Sequence, residues 1–83
     1  MKRKHRRTLQ AIFQVQASIQ WNDIETMLIA AECDIREVKG SMVRIRFPSG
    51  SHVVFHRPHP NPDTGRDRVR RLRRLLQAEN IRP

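Results

Sequence analysis

The chain has no tyrosine, and its aromatic content stops at one tryptophan and three phenylalanines in 83 residues. With 37% hydrophobic residues the core is lean, adequate for a folded domain if a partner covers part of the apolar surface. There is one cysteine, Cys33, which excludes internal disulfide staples and cysteine-based zinc fingers and suits a reducing cytosol. Its neighbours Ala30, Ala31 and Ile35 mark it as a small half-buried core residue, with no histidine-paired context to make it a nucleophile. No apolar run approaches the length of a membrane span. The basic start, Lys2 to Arg7, is followed by Gln10, Gln14 and Gln16 where a secretory signal needs a continuous apolar segment, so a cytoplasmic location is expected. Internal repeats are absent as well. A chain of this length forms one small domain that hides only about 60% of its unfolded surface, which leaves no room for a deep substrate cavity.

Acidic residues are also scarce: 8 against 17 Lys and Arg, for a net charge of +9. All but three of the cations are arginine, whose planar fork bonds phosphate bidentately and stacks on bases. This composition implies a polyanionic partner, nucleic acid ahead of an acidic protein, and does not separate RNA from DNA.

Along the chain, residues 1–7 read as a basic arm, mobile at its start. Thr8 can cap a short helix carrying Leu9, Ile12 and Phe13, an appendage to the domain. Ala17 to Gln20 read as a linker, so residues 1–20 are expected to form an arm and 21–83 the domain proper. Asn22 followed three residues later by Glu25 has the form of a reciprocal cap, with Trp21 stapled onto the helix. Within that helix Ile24, Met27, Leu28 and Ala31 fall at core spacing. Asp34 to Lys39 form a first strand with Ile35 and Val38 as its apolar members, although their spacing does not alternate cleanly. Gly40-Ser41 turns the chain into a second strand, residues 42–47. Pro48-Ser49-Gly50 then returns it antiparallel as a third, from Ser51 to about Arg57. Pro58, Pro60 and Pro62 end the sheet, because proline cannot donate to a ladder. Asp63-Thr64-Gly65 supply turn and cap chemistry. The last helix carries Val69, Leu72, Leu75 and Leu76 on one stripe and six arginines around the rest, with Ile81 adding a final apolar contact.

Alternation decides what the strands expose. If Val43, Ile45 and Phe47 face the core, Arg44 and Arg46 face away, and His52, Val54 and His56 share that open side. Histidines beside permanent cations are the groups a phosphodiester-cleaving face needs, since RNA carries its own nucleophile in the 2′-hydroxyl. A base takes that proton, an acid protonates the leaving oxygen and a cation offsets the phosphorane charge. His56 is the first candidate for base or acid, His52 the second, and His59 the third if the proline-rich turn folds back. The bland alternatives are a solvated strand face, and His56 and His59 bonding backbone carbonyls to brace the turn. Zinc is disfavoured, because His52 and His56 stand about 13 Å apart along a strand. Arg44, Arg46, Arg57, Arg66, Arg70, Arg73 and Arg74 are the expected RNA-binding cations.

Trp21, Ile24-Glu25 and Met27-Leu28, then Gly40 to Phe47, Phe55-His56-Arg57-Pro58-His59-Pro60 and a basic helix ending in Leu75-Leu76, taken in that order, resemble the HicA family of toxins. Lys4 to Leu9 with Ala11-Ile12-Phe13 resemble the N-terminal extension of one branch. The resemblance implies an α+β, double-stranded-RNA-binding-domain-like α-β-β-β-α fold, here with an extra N-terminal helix and with the helices on one face of the sheet. It also implies cleavage of mRNA, a single-stranded substrate, without ribosome, metal ion or small-molecule cofactor, and neutralisation by a HicB-like antitoxin. The family pattern follows the Gly-Ser turn with a histidine held to be catalytic, and Met42-Val43 stand there in this chain. Either the histidines of the next strand carry the chemistry or this branch binds RNA without efficient cutting. Alternatives of other kinds are a non-catalytic RNA-binding module and a basic interaction protein for an acidic partner.

Overall fold

The computed structural model describes residues 1–59 and 61–83; Pro60, expected to help end the sheet, lies outside the described residues. The elements run α1 (Arg3–Phe13), β1 (Ile19–Gln20), α2 (Trp21–Ala30), β2 (Asp34–Lys39), β3 (Met42–Arg46), β4 (His52–His56), β5 (Asp63–Thr64) and α3 (Arg66–Ala78). The architecture is α+β and double-stranded-RNA-binding-domain-like, with an antiparallel sheet ordered β2-β3-β4. Val43, Ile45, Phe55 and, past the end of β3, Phe47 point into one core with Ile24, Met27 and Leu28 of α2 and Val69, Leu72 and Leu76 of α3.

The basic arm is helical from Arg3, and Thr8 sits mid-helix, where its hydroxyl donates to the Lys4 carbonyl at 3.3 Å. Leu9 and Ile12 are 1% and 0% exposed and belong to the same core, so α1 is part of the domain's packing rather than an appendage. Lysine and arginine are good helix formers, and burying those two residues against α2 and α3 extends the helix back through them. The expected linker also has structure. Ile19 pairs with Thr64 and Gln20 with Asp63, and the Trp21 amide donates to the Pro62 carbonyl at 3.0 Å.

One further expectation fails for a local reason. No reciprocal cap forms at Asn22, because α2 starts two residues earlier than that cap implies, with Gln20 at its cap and no side-chain cap bond. Glu25 is engaged elsewhere, by Trp21 and Arg57. Val38, an apolar member of β2, is 55% exposed, because the register shifts between Glu37 and Lys39 and the bulge turns it outward.

All three helices end in the same way despite a shortage of glycine. Past each last turn a non-glycine residue takes positive φ: Val15 at 51°, Glu32 at 68° and Asn80 at 58°. The next amide reaches back five residues, Gln16 to Ala11, Cys33 to Leu28 and Ile81 to Leu76, satisfying carbonyls the helix leaves open. In the β3–β4 turn Gly50 takes φ 97°, a conformation open to glycine, and its amide donates to the Phe47 carbonyl, which lets β3 return as β4.

Candidate nucleic-acid interface

The outer face of the sheet is set by register. Arg46 lies opposite His52, Arg44 opposite Val54 and Met42 opposite His56. On the other side of β3, Asp34 faces Arg46 and Arg36 faces Arg44. His52, His56, Arg44 and Arg46 are therefore brought together on one exposed surface, as alternation implied. The pairing refines which histidine meets which cation: His52 has an arginine directly across, whereas His56 has Met42 across and Arg44 on the diagonal, about 7–8 Å away between backbones.

The backbone around His56 is held from two sides. The Arg57 amide donates to the Ser41 carbonyl at 2.9 Å, and Arg68 of α3 donates through Nε to the His56 carbonyl at 3.2 Å. His59 follows β4, exposed and outside the sheet. Among the described residues the side chains of His52, His56 and His59 make no hydrogen bond. The described residues hold no group of three His, Cys, Asp or Glu placed to share a metal ion.

Arg44 and Arg46 have no carboxylate partner among the described residues, while Arg36 is paired with Asp34 at 2.9 Å. Two like charges face each other at Arg36 and Arg44, an arrangement that costs stability unless an anion comes between them. Arg36 escaped the reading of the sequence, although its phase along β2 is the signal that finds it.

The arginine expectations divide. Arg57 is committed to Glu25 and Glu37, and the Glu25 carboxylate first and Glu37 second hold its guanidinium protonated even more firmly than usual. Three of its five N–H donors are engaged inside the fold. Arg66, Arg70 and Arg74 of α3 are exposed, and Arg70, Arg73 and Arg74 with Gln77 line a shallow depression of about 270 Å³. Arg68 and Arg71 have structural work instead: Arg68 hooks the edge of β4, and the Arg71 guanidinium lies 4.2 Å over the Phe55 ring.

Phe55 in turn meets Trp21 at 5.9 Å between ring centroids, and the Trp21 indole donates to Glu25. Cys33 is buried, and that burial, helped by Glu79, pushes its thiol up to about 11. It is a core residue and not a nucleophile.

No helix among the described residues is long and apolar enough to cross a membrane. A family model described as HicA toxin of bacterial toxin-antitoxin matches residues 21–79. No curated protein and no solved structure matches the chain.

Proposed function

The chain belongs to the HicA toxin family, a toxin of a toxin–antitoxin system, and from that premise we propose that it binds single-stranded or messenger RNA and cleaves it without a metal ion. A HicB-like antitoxin is the inhibitor in this reading, by covering the outer face of the sheet. The observation that carries the proposal is the register of β3 against β4, which sets two exposed histidines beside two unpaired arginines on one surface.

The chemistry needs little more. A neutral imidazole removes the 2′-hydroxyl proton, the oxygen attacks the adjacent phosphorus, and the 5′-oxygen leaves as it takes up a proton. The products are a 2′,3′-cyclic phosphate and a 5′-hydroxyl end. Arginine offsets the charge that gathers on the phosphorane oxygens. His56 is the principal proton-transfer group, because its backbone is fixed by Ser41 through the next amide and by Arg68, and Arg44 lies on its diagonal. His52 with Arg46 is the second pair, about 13 Å along the strand and so addressing a different phosphate. His59 is third, since it lies off the sheet. Arg66, Arg70, Arg73 and Arg74 hold the RNA backbone.

The test is cleavage of an mRNA in EDTA by the full chain. His56→Ala is expected to lower the rate by about 10²–10⁴ and His52→Ala by less; equal cutting by wild type and His56→Ala removes His56 from the mechanism.

A second reading, an RNA-binding module that does not cut, is favoured by Met42, which faces His56 at the position where the family resemblance places a histidine. It is distinguished by RNA binding without cleavage in the same assay. In that case Met42→His, which puts a second imidazole directly across from His56, is expected to bring cutting back.

A further inference from the structure

The charge of the protein is not where the candidate active face is. Residues 1–13 and α3 together hold eleven of the 17 Lys and Arg and one of the 8 Asp and Glu, so the remainder of the chain is close to neutral. Lys2, Arg3, Lys4, Arg6 and Arg7 are all exposed and crowd the start of α1 with no acidic residue in its first turn. Cations at that end of a helix oppose its dipole, and none of these five has a carboxylate partner among the described residues. Their repulsion is left unrelieved within the fold.

α1 packs against α3, and the two ends of the chain meet there. Arg6 and Arg82 line one open depression of about 520 Å³ with Leu9 and Gln10. Along α3, Arg66, Arg70 and Arg74 add a row at helical spacing, and only Arg70 has an acidic neighbour, Asp67 at 3.4 Å. Apolar anchors are scarce on this surface: among the described residues the exposed large hydrophobics are Met1, Ile29 and Val38, and of these Met1 alone lies on it. Protein interfaces centre on buried aromatic or apolar residues, whereas a polyelectrolyte backbone needs only cations.

We infer that α1 and α3 form a second RNA-binding surface, distinct from the outer face of the sheet, which tracks the phosphate backbone while the sheet face acts on one linkage. It rests on the RNA-binding reading above and extends it to α1, which lies outside the residues matched by the family model. Most of the affinity, and nearly all of its salt dependence, comes from the helical surface.

The experiment measures binding of the full chain to a short single-stranded 2′-O-methyl RNA, which lacks the nucleophile and stays intact, between about 50 and 200 mM salt. The variant Arg3→Gln/Lys4→Gln/Arg6→Gln/Arg7→Gln keeps good helix formers in α1, and circular dichroism verifies its fold. The slope of log K against log salt is expected to fall by about 0.7 for each phosphate that is no longer neutralised, with at least a tenfold loss of affinity at the lower salt. Arg44→Gln/Arg46→Gln, on the sheet face, is expected to change the slope by less. An α1 variant with the wild-type slope and affinity overturns the inference while leaving RNA binding intact. Wild type that binds no RNA overturns both, and wild type that binds polyglutamate as tightly as RNA makes this surface a dock for acidic protein.

Discussion

Arg57 closes a two-pronged pair on Glu25, with Nε 2.8 Å from one carboxylate oxygen and Nη2 3.1 Å from the other. The Glu25 side chain is 16% exposed and that of Arg57 32%, so the pair is shielded from water, and its third prong reaches Glu37 at 2.7 Å. One guanidinium thereby ties the end of β4 to α2 and to β2. Arg57→Ala is expected to cost about 2 kcal/mol, because Glu25 keeps its charge and loses its main donor. Arg57→Lys restores little, since an ammonium cannot span both oxygens of the fork. Urea unfolding of the two variants measures this, and wild-type stability in Arg57→Ala would show the pair to be inert.

Ile12 is 0% exposed although it lies in a segment whose start looks like a charged tail. Truncating it to alanine is expected to destabilise the whole domain by about 2–5 kcal/mol, the usual effect of emptying a core site. A cost below about 0.5 kcal/mol, the range of ordinary surface changes, would mean that α1 is detachable after all.

Glu32 holds φ 68° at an exposed position after α2, a conformation that is strained for any residue with a Cβ. Glu32→Gly is expected to raise stability by about 1 kcal/mol and the melting temperature by several degrees. The same change at Val15 gains less, because Val15 also packs against the core. A lower melting temperature for Glu32→Gly contradicts the assignment of strain.

Cys33 supplies a pH dependence. Its thiol moves from the ordinary 9.0 up to about 11 in the folded chain, first through burial and second through Glu79. The folded state therefore keeps a proton that the unfolded state releases. The resulting stability is full below pH 9 and is lost as pH rises toward 11. The difference in stability between wild type and Cys33→Ala should accordingly shrink across that window in unfolding experiments, and a difference that stays constant would place the thiol in a more open setting.

The hairpin of β3 and β4 was legible because a period of two cannot be satisfied by any other element: Val43, Ile45 and Phe55 go in, and Arg44, Arg46, His52 and His56 go out. The arginine back of α3 was legible for the same kind of reason, with Val69, Leu72 and Leu76 marking the buried stripe. β1 and β5 were not, since two-residue strands carry no period and exist only because the chain brings Ile19 alongside Thr64. The outward turn of Val38 was not legible either, because a bulge depends on the partner strand. The start of α1 was hidden because its first turn is entirely polar.

The sequence by itself determined the net positive charge, the open face of the hairpin and the family, because composition, alternation and motif order are local properties of the chain. Only the tertiary structure decided which cations are free. Arg57 is paired with Glu25, Arg68 and Arg71 brace the edge and inner face of β4, and Arg44 and Arg46 have no carboxylate partner among the described residues. Ion pairs join residues distant in sequence, and a guanidinium reads the same in the chain whether it faces a carboxylate or the solvent.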